Sequence, residues 1–434
     1  MEYEGVVKKI LDSAGASVGD YIEIARKEDS FKGIVMPHVE FSGKDVLTLK
    51  LDNGYNVGLR IDDACKIHLM QKKEEVRIAE MEHAMDPEKP IISILGTGGT
   101  IASYVEYRTG AVHPAEKAKD LVFTVPELAD ICNIRARVLY SLFSENITAK
   151  HWKKLASEVV AELDSGSSGV VIPHGTDTLG YSAAALSFML DDLGGPVILV
   201  GSQRSSDRPS SDSFLNLTSS ARLANEDLGE VVVVMHGETS DTFCTIHRGT
   251  KVRKMHSSRR DAFVSIDQNP LGRVHQDGRV EWLEEHRSRS SGPVNLKTEM
   301  EENVVIVYFY PGMTVSRFKS MVKDAKGVVI AGTGLGHVSS ELIPPIKSLI
   351  EGGIPVVMTT QCLNGRVNMS VYSNGRDLLL AGVIPGEDML PETAFIKLMW
   401  VLGQTRDMNE IRKLMTSNLR GEINPAIKLE EFCE

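Results

Sequence analysis

The rhythm of apolar and polar residues changes twice along this chain. Within residues 1–70 the apolar positions fall in short alternating runs at 21–25, 33–37, 46–51 and 55–61. A period of two is that of a half-buried strand. Asn53-Gly54 joins the last two runs, and both residues tolerate the positive φ that a two-residue hairpin turn demands. Tyr55, Val57, Leu59 and Ile61 then share one face. The pattern predicts a small, mostly antiparallel barrel, serving either as a β-rich cap on a larger domain or as a docking module for RNA or protein. Residues 71–90 are charged and helix-like as far as Met85, and end in Asp86-Pro87 and Lys89-Pro90. Proline stops a helix and stiffens a junction, so a boundary is expected there.

From Ile91 the period changes again. Continuous apolar runs at 91–95, 169–173, 197–200 and 231–235 alternate with longer helical stretches such as 149–163 and 180–193. Strands buried on both faces read this way in parallel sheets, and the alternation predicts βαβ units. The stretch 276–302, centred on Arg287-Ser288-Arg289-Ser290-Ser291-Gly292-Pro293, interrupts the pattern and reads as a linker. The runs at 304–310, 327–331 and 354–358 then resume it. The expected organisation is therefore 1–85 as a small all-β barrel with its charged connector, 86–295 as a larger α/β domain, and 296–434 as a smaller α/β domain.

Composition narrows the classes. A length of 434 residues corresponds to about two to four domains. Apolar residues at 42% and charged residues at 25% exclude wholesale disorder. No apolar run approaches the ~18 residues of a membrane span, and the acidic opening Met1-Glu2-Tyr3-Glu4 is unlike a secretory signal. The five cysteines are an odd number without a CxxC pair, which favours neither a disulfide framework nor a zinc knuckle. A cytoplasmic protein is expected. With 48 basic against 59 acidic side chains, the net charge of −11 disfavours non-specific nucleic-acid binding by the whole surface but leaves room for a local basic patch.

Three motifs carry candidate chemistry. The run at 91–95 leads into Gly96-Thr97-Gly98-Gly99-Thr100-Ile101-Ala102. Glycines let the backbone approach a ligand, and turn N–H groups can face an anion. Ile101 stands where a dinucleotide fingerprint needs glycine, so the two threonines suggest a hydroxyl nucleophile; an ordinary tight turn is the competing reading. Pro173-His174-Gly175-Thr176-Asp177-Thr178 also follows an apolar run and precedes a helix, a position that suits ligand binding but also a simple N-cap. Arg248-Gly249-Thr250-Lys251-Val252-Arg253-Lys254-Met255-His256, followed by Arg259-Arg260, can supply a lysine for proton relay if its pKa falls from about 10.4. It can equally be a solvated basic loop or a phosphate-binding patch. Serine-hydrolase elbow, zincin and P-loop signatures are missing, and no metal-ligand spacing stands out.

Taken in order, these motifs resemble the L-asparaginase family. TGGTIA lies at Thr97 to Ala102, HGTDT at His174 to Thr178, and an RGxxxxKxH pattern at Arg248 to His256. A fourth stretch runs from Thr360 to Met369, with Gly382-Val383-Ile384-Pro385-Gly386 and Lys397-Leu398-Met399-Trp400 beyond it. The likeness covers about residues 90–425, and four motifs in register are highly specific. It implies an α/β fold with an asparaginase-like two-domain parallel-sheet body, here preceded by the small all-β barrel. Barrel, connector and body together resemble the D-subunit family of archaeal glutamyl-tRNA(Gln) amidotransferases.

That resemblance implies an enzyme that hydrolyses glutamine and passes the ammonia to a second amidotransferase subunit. The partner binds Glu-tRNA(Gln) and uses ATP, with Mg, so no cofactor is expected in this chain. A homodimer within a heterotetramer, tRNA contact through the complex and no membrane association are implied too; a free-standing cytoplasmic L-asparaginase is the alternative. Matched residue by residue, Thr100 corresponds to the first catalytic threonine and Tyr107 to a tyrosine on the loop beside it. Thr176 and Asp177 correspond to the second threonine and its acid, and Lys254 to the lysine. Ser144 and Glu145 correspond to the pair that holds the α-carboxylate and α-amino group of the substrate. Gly99 and Gly175 flank the threonines, and backbone N–H groups of the Gly98-Gly99 turn or near Thr176 are candidate oxyanion donors. Which threonine attacks is not decided by sequence; Thr100 is the expectation. Two departures stand out: His337 occupies a position where many members have asparagine, and the stretch 361–374 contains no Asp or Glu to complete a threonine–tyrosine–carboxylate triad.

Overall fold

The computed structural model describes residues 3–426 except 27–28, 37, 39–42, 52–55, 63, 73–85, 99–102, 106–111, 115–126 and 205–209. The connector helix expected before Met85 and the Asn53-Gly54 turn fall outside the described residues.

The N-terminal unit is a five-stranded antiparallel sheet. Its strands are β1 (Tyr21–Arg26), β2 (Asp29–Val35), β3 (Val46–Leu51), β4 (Asn56–Arg60) and β5 (Lys66–Gln71), in the order β4-β3-β2-β1-β5. Among the described residues β4 and β5 are not paired with each other, so hydrogen bonding leaves the sheet open. Alternation works as expected: Ile22, Ile24, Leu47 and Leu49 point to one buried face. Helix α1 (Gly5–Ser13) supplies Val7 and Leu11 to that same core. The Tyr3 hydroxyl pins the start of this unit, donating to the Met36 carbonyl at 2.6 Å and accepting the Thr48 N–H at 3.1 Å.

The larger lobe carries an eight-stranded sheet. Five strands are parallel, in the order β7-β6-β8-β9-β10. They are β6 (Ile91–Gly96), β7 (Asn133–Val138), β8 (Gly169–Pro173), β9 (Val197–Val200) and β10 (Val231–His236). Their continuous apolar runs are explained by cover on both faces. Val170, Ile172 and Leu199 pack under α2 (Ala149–Asp164) and α3 (Leu179–Met189). Val171, Ile198 and Val200 pack under α4 (Ser213–Leu223). Beyond β10 the sheet continues antiparallel through β11 (Phe243–Arg248), β14 (Gly272–His275) and β15 (Val280–Trp282). Between β11 and β14, a hairpin of β12 (Val252–Lys254) and β13 (Phe263–Ser265) stands apart from the main sheet.

The stretch 276–302 is bound rather than hanging free, to this lobe over most of its length and to the Pro391–Gln404 helix at its end. It contributes β15, and the Arg289 guanidinium donates to the carbonyls of Glu226, Ser168, Gly194 and Ala224. The smaller lobe is a four-stranded parallel sheet of β16 (Val304–Tyr308), β17 (Gly327–Gly332), β18 (Val356–Thr360) and β19 (Ile384–Pro385). Helix α5 (Pro391–Gln404) lies between the lobes, where Trp400 stacks on Phe188 of α3 at 6.1 Å between ring centroids. Cys65, Cys132, Cys244 and Cys362 are free thiols.

One buried ion pair fastens the lobes together, and a second holds the C-terminal segment to helix α5 at the same junction. Lys251 Nζ, fully buried, lies 2.7 Å from Asp388 Oδ2, and Lys397 pairs with Glu422, both of them fully buried. Residues 418–425 form a strap across the same junction. The Arg420 carbonyl accepts the Thr250 hydroxyl at 3.1 Å, and the Arg420 guanidinium donates to the Ser187 carbonyl and pairs with Asp191 at 2.8 Å. Asn424 donates its backbone N–H to Asp388 and its amide to the Asp267 carbonyl at 2.6 Å.

Breaking a buried pair leaves an uncompensated charge, which costs about 3–5 kcal/mol, whereas removing both charges is much less damaging. Glu422→Ala should therefore lower the urea-unfolding free energy by roughly that amount. The Lys397→Met/Glu422→Leu pair should recover most of it.

Candidate active site

Strand order fixes where a ligand can sit. The chain leaves β6 for β7 on one side, while β8 lies on the other side of β6. At such a switch point the loops leaving adjacent carboxyl ends diverge and open a crevice. The two Gly/Thr turns emerge there. Thr97 stitches them together, its N–H donating to the Pro173 carbonyl at 3.1 Å and its hydroxyl at 2.9 Å. Gly98 has φ +106, and a Cβ there would lie 2.3 Å from the Leu142 carbonyl oxygen. Only glycine meets both conditions.

The turn after β8 holds the second threonine. Gly175 is pressed against Ser144 so closely that a Cβ would stand 2.8 Å from the serine Cβ. The Thr178 hydroxyl donates to the Ser144 carbonyl at 2.7 Å. Ser144 is buried in the short 3-10 turn Ser144–Asn146, with Glu145 exposed beside it. The Thr176 methyl faces Gly201 at the end of β9, where a Cβ would approach it to 2.6 Å.

Lys254 completes the arrangement from the β12–β13 hairpin. Its Nζ donates to Thr176 Oγ1 at 2.9 Å and to Asp177 Oδ1 at 2.7 Å. The Lys254 side chain is only 13% exposed, while that of Asp177 is 73% exposed. A nearly dry ammonium thus touches a hydroxyl on one side and a water-facing carboxylate on the other. Such a site can stabilise charge developing on the threonine oxygen and move a proton along the three groups. Thr176, Asp177, Lys254, Gly175 and Ser144 of the expected set come together in this way. Thr100, Gly99 and Tyr107 lie outside the described residues.

The basic segment around Lys254 is interleaved with carboxylates. Arg253 pairs with Glu392 at 3.3 Å, Arg259 with Asp261 at 2.6 Å, and Arg260 with Asp241 at 2.6 Å. The His256 Nδ1 accepts the N–H groups of Ser258 and Arg259. His337 lies in the smaller lobe, edge-on to Tyr372 at 5.4 Å and against Gly375.

Two histidines lie beneath the site. His174 opens the HGTDT turn, and burial pushes its imidazole down to about 4. His247, whose Nδ1 is 2.9 Å from the Ser265 hydroxyl under the hairpin, is pushed down to about 3 by the same cause. The sequence motifs assign neither a role. Nor do they single out Ser182, one turn after Thr178 on α3, or the anchoring Lys251.

This fold is that of the asparaginases. The family described as "Asparaginase, N-terminal" matches residues 91–288, and "Glutaminase/Asparaginase C-terminal domain" matches 303–415. The "GatD N-terminal domain" matches residues 16–70. Among solved structures, the thermostable L-asparaginase from Thermococcus kodakarensis superposes with a TM-score of 0.70 at 35% identity, covering 77% of this chain and 100% of its own. L-asparaginase I from Vibrio cholerae does so with a TM-score of 0.68 at 29% identity, covering 77% and 99%. The D component of the glutamyl-tRNA(Gln) amidotransferase of Pyrococcus furiosus is 52% identical over 98% of this chain and 99% of its own length. That of Methanothermobacter thermautotrophicus is 48% identical over the whole of both. The chain belongs to the D-component family of glutamyl-tRNA(Gln) amidotransferases.

The two histidines give the body a specific acid sensitivity. Each stays neutral when folded and takes a proton near pH 6.5 when unfolded. Between pH 6.5 and about 4 the unfolded state binds more protons, so stability falls as pH falls. The unfolding free energy should drop on going from pH 7 to 5, by up to about 1.4 kcal/mol per pH unit for each histidine. The drop should be shallower in His247→Gln, as urea titrations at each pH would record.

Proposed function

We propose that this chain is the glutamine-hydrolysing subunit of a tRNA-dependent amidotransferase. The reading rests on one observation above the others: Lys254 donates at once to Thr176 and Asp177 at the switch point, in a chain that also matches the GatD N-terminal domain. A simple asparaginase body leaves that domain without a purpose; the two solved asparaginases use 99–100% of their own length to cover 77% of this chain.

In this reading Thr100, which follows Gly98 by two residues in the TGGTIA motif, attacks the side-chain carboxamide of glutamine. Its proton passes into the relay as the new C–O bond forms. The tetrahedral intermediate places negative charge on the former carbonyl oxygen, facing backbone N–H groups of the two Gly/Thr turns. Collapse breaks the C–N bond, the departing nitrogen takes up a proton, and ammonia leaves. Water then attacks the acyl-threonine ester, releasing glutamate and restoring the hydroxyl. Lys254 donates to the Thr176 oxygen, so the proton of that hydroxyl is free to be passed onward, and the ammonium stabilises charge left on the oxygen. The exposed Asp177 carboxylate suits the α-ammonium of the substrate, with Ser144 and Glu145 at the other end of the amino acid. Tyr107 is assigned, by the resemblance, to the loop beside Thr100.

The ammonia goes to a partner subunit that binds Glu-tRNA(Gln) and activates its glutamate with ATP and Mg; this chain holds no cofactor in the reading. A homodimer within a heterotetramer, working in the cytoplasm, is the proposed assembly. With the basic loop neutralised, tRNA contact is assigned to the partner.

Ammonia release from glutamine and from asparagine, with and without partner and Glu-tRNA, tests the proposal. Glutamine turnover that depends on both supports it, and rapid asparagine turnover by the chain alone overturns it. Thr176→Val and Lys254→Met should each lower glutamine turnover at least about 100-fold while the complex still amidates Glu-tRNA with free ammonia. Retained hydrolysis in either variant would remove the relay.

A further inference from the structure

Directly beneath the HGTDT turn, three buried side chains form a hydrogen-bonded line that the hydrolysis described above does not use. The Trp152 indole nitrogen lies 2.8 Å from Ser182 Oγ. Ser182 Oγ lies 2.8 Å from His174 Nε2. His174 Nδ1 lies 2.7 Å from the Gly175 carbonyl oxygen. Ser182 and His174 are fully buried and Trp152 is 7% exposed, so water does not compete for these bonds.

Donor and acceptor chemistry sets the direction of the line. An indole N–H can only donate, so the Ser182 oxygen accepts from Trp152. At the other end the Gly175 carbonyl can only accept, so Nδ1 must carry the proton and donate to it; in the neutral ring Nε2 is then the unprotonated nitrogen, at which the serine proton can point. The reverse tautomer would set the Nδ1 lone pair against the Gly175 carbonyl oxygen at 2.7 Å, leaving that buried carbonyl unmatched. The depressed imidazole pKa keeps the ring neutral, as this single-donor role requires.

The carbonyl at the end of the line belongs to the same planar peptide unit as the Thr176 N–H, and in a trans peptide the two point in opposite directions. A bond from the buried imidazole fixes the plane and polarises it, turning the Thr176 N–H away from the core. We propose that the Trp152–Ser182–His174 line is a positioning device. It locks His174 as the Nδ1–H tautomer, and that N–H presents the Thr176 backbone N–H as a preorganised donor to the oxyanion of the hydrolysis. This inference rests on the amidotransferase reading for its reaction, but its tautomer is a property of the folded chain alone.

The contacts on both sides of the turn give the device a purpose. Thr178 bonds to Ser144, Thr176 abuts Gly201, and Lys254 holds the Thr176 side chain. None of these contacts is made by the Gly175 carbonyl itself; the imidazole bond is.

Two measurements decide it. In histidine-15N-labelled full chain, the His174 resonances, assigned by their loss in His174→Gln, should show a protonated Nδ1 and an unprotonated, hydrogen-bonded Nε2. A protonated Nε2 overturns the inference, whether or not glutamine is hydrolysed. In the complex with partner and Glu-tRNA, His174→Leu should lower kcat for glutamine at least tenfold with KM within threefold. His174→Asn, whose amide N–H can stand in for Nδ1–H, should keep at least fivefold more kcat than His174→Leu. Packing alone predicts the opposite order, because leucine fills the space better. Ser187→Ala on the same helix should leave kcat unchanged. Equal or better turnover in His174→Leu than in His174→Asn overturns the device. If either variant fails to fold, the wild-type tautomer decides. Absence of glutamine turnover in the wild-type complex would refute the amidotransferase reading and leave the tautomer standing on its own spectrum.

Discussion

An ammonium that is almost dry must have oxygen partners within about 3 Å, and Lys254 finds them in Thr176 and Asp177. That requirement organises the larger lobe. The β12–β13 hairpin must be held over the carboxyl end of β8, although 77 residues separate Lys254 from Asp177. Neither the hairpin nor the turn could hold the other alone. The hairpin stands apart from the main sheet, so its base is secured from elsewhere. Lys251 plugs into Asp388 of the smaller lobe, and the Thr250 carbonyl accepts the Thr393 hydroxyl of α5 at 2.9 Å. The distance between a lysine and a threonine in one lobe thus depends on packing against the other.

Much of this was readable in the residue pattern. The runs at 169–173 and 197–200 coincide with β8 and β9 because each is a continuous apolar stretch between turn-forming residues, buried on both faces. Other elements follow tertiary contacts that no local period records. The helix expected at 180–193 stops at Met189 because Leu190 and Asp191 pair with Leu296 and Asn295. The polar stretch around Arg289 has no apolar periodicity, yet it is bound tightly through backbone carbonyls, which any sequence can offer. Helix α1 was overlooked although Val6, Val7, Ile10 and Leu11 line one side of it; its period of 3.6 is plain, but only over two turns. In the site, the chemistry of Thr176, Asp177 and Lys254 came from motifs, while the silent members of the site did not. Ser182 looks like any small helix residue until His174 and Trp152 are placed on either side of it.

The arginines beside the site do not stand as free charges. Arg253, Arg259 and Arg260 are each matched by a carboxylate, leaving Lys254 to face the crevice. A crowd of unpaired cations would depress the basicity of every neighbour and draw anions unselectively. With its arginines neutralised, the loop serves as scaffold, and the charges nearest Thr176 are Lys254 and its partner Asp177.

The strap at 418–425 bears on the life of the chain before it is finished. Proteins are made from the amino end, and Arg420 emerges 170 residues after Thr250, to which it bonds. Until then the nascent larger lobe has its strands and its threonines, and its hairpin root is held by Asp388 and Thr393 without the strap. Closing so long a loop is slow and entropically costly. On the ribosome the half-made protein is therefore a scaffold awaiting its lock.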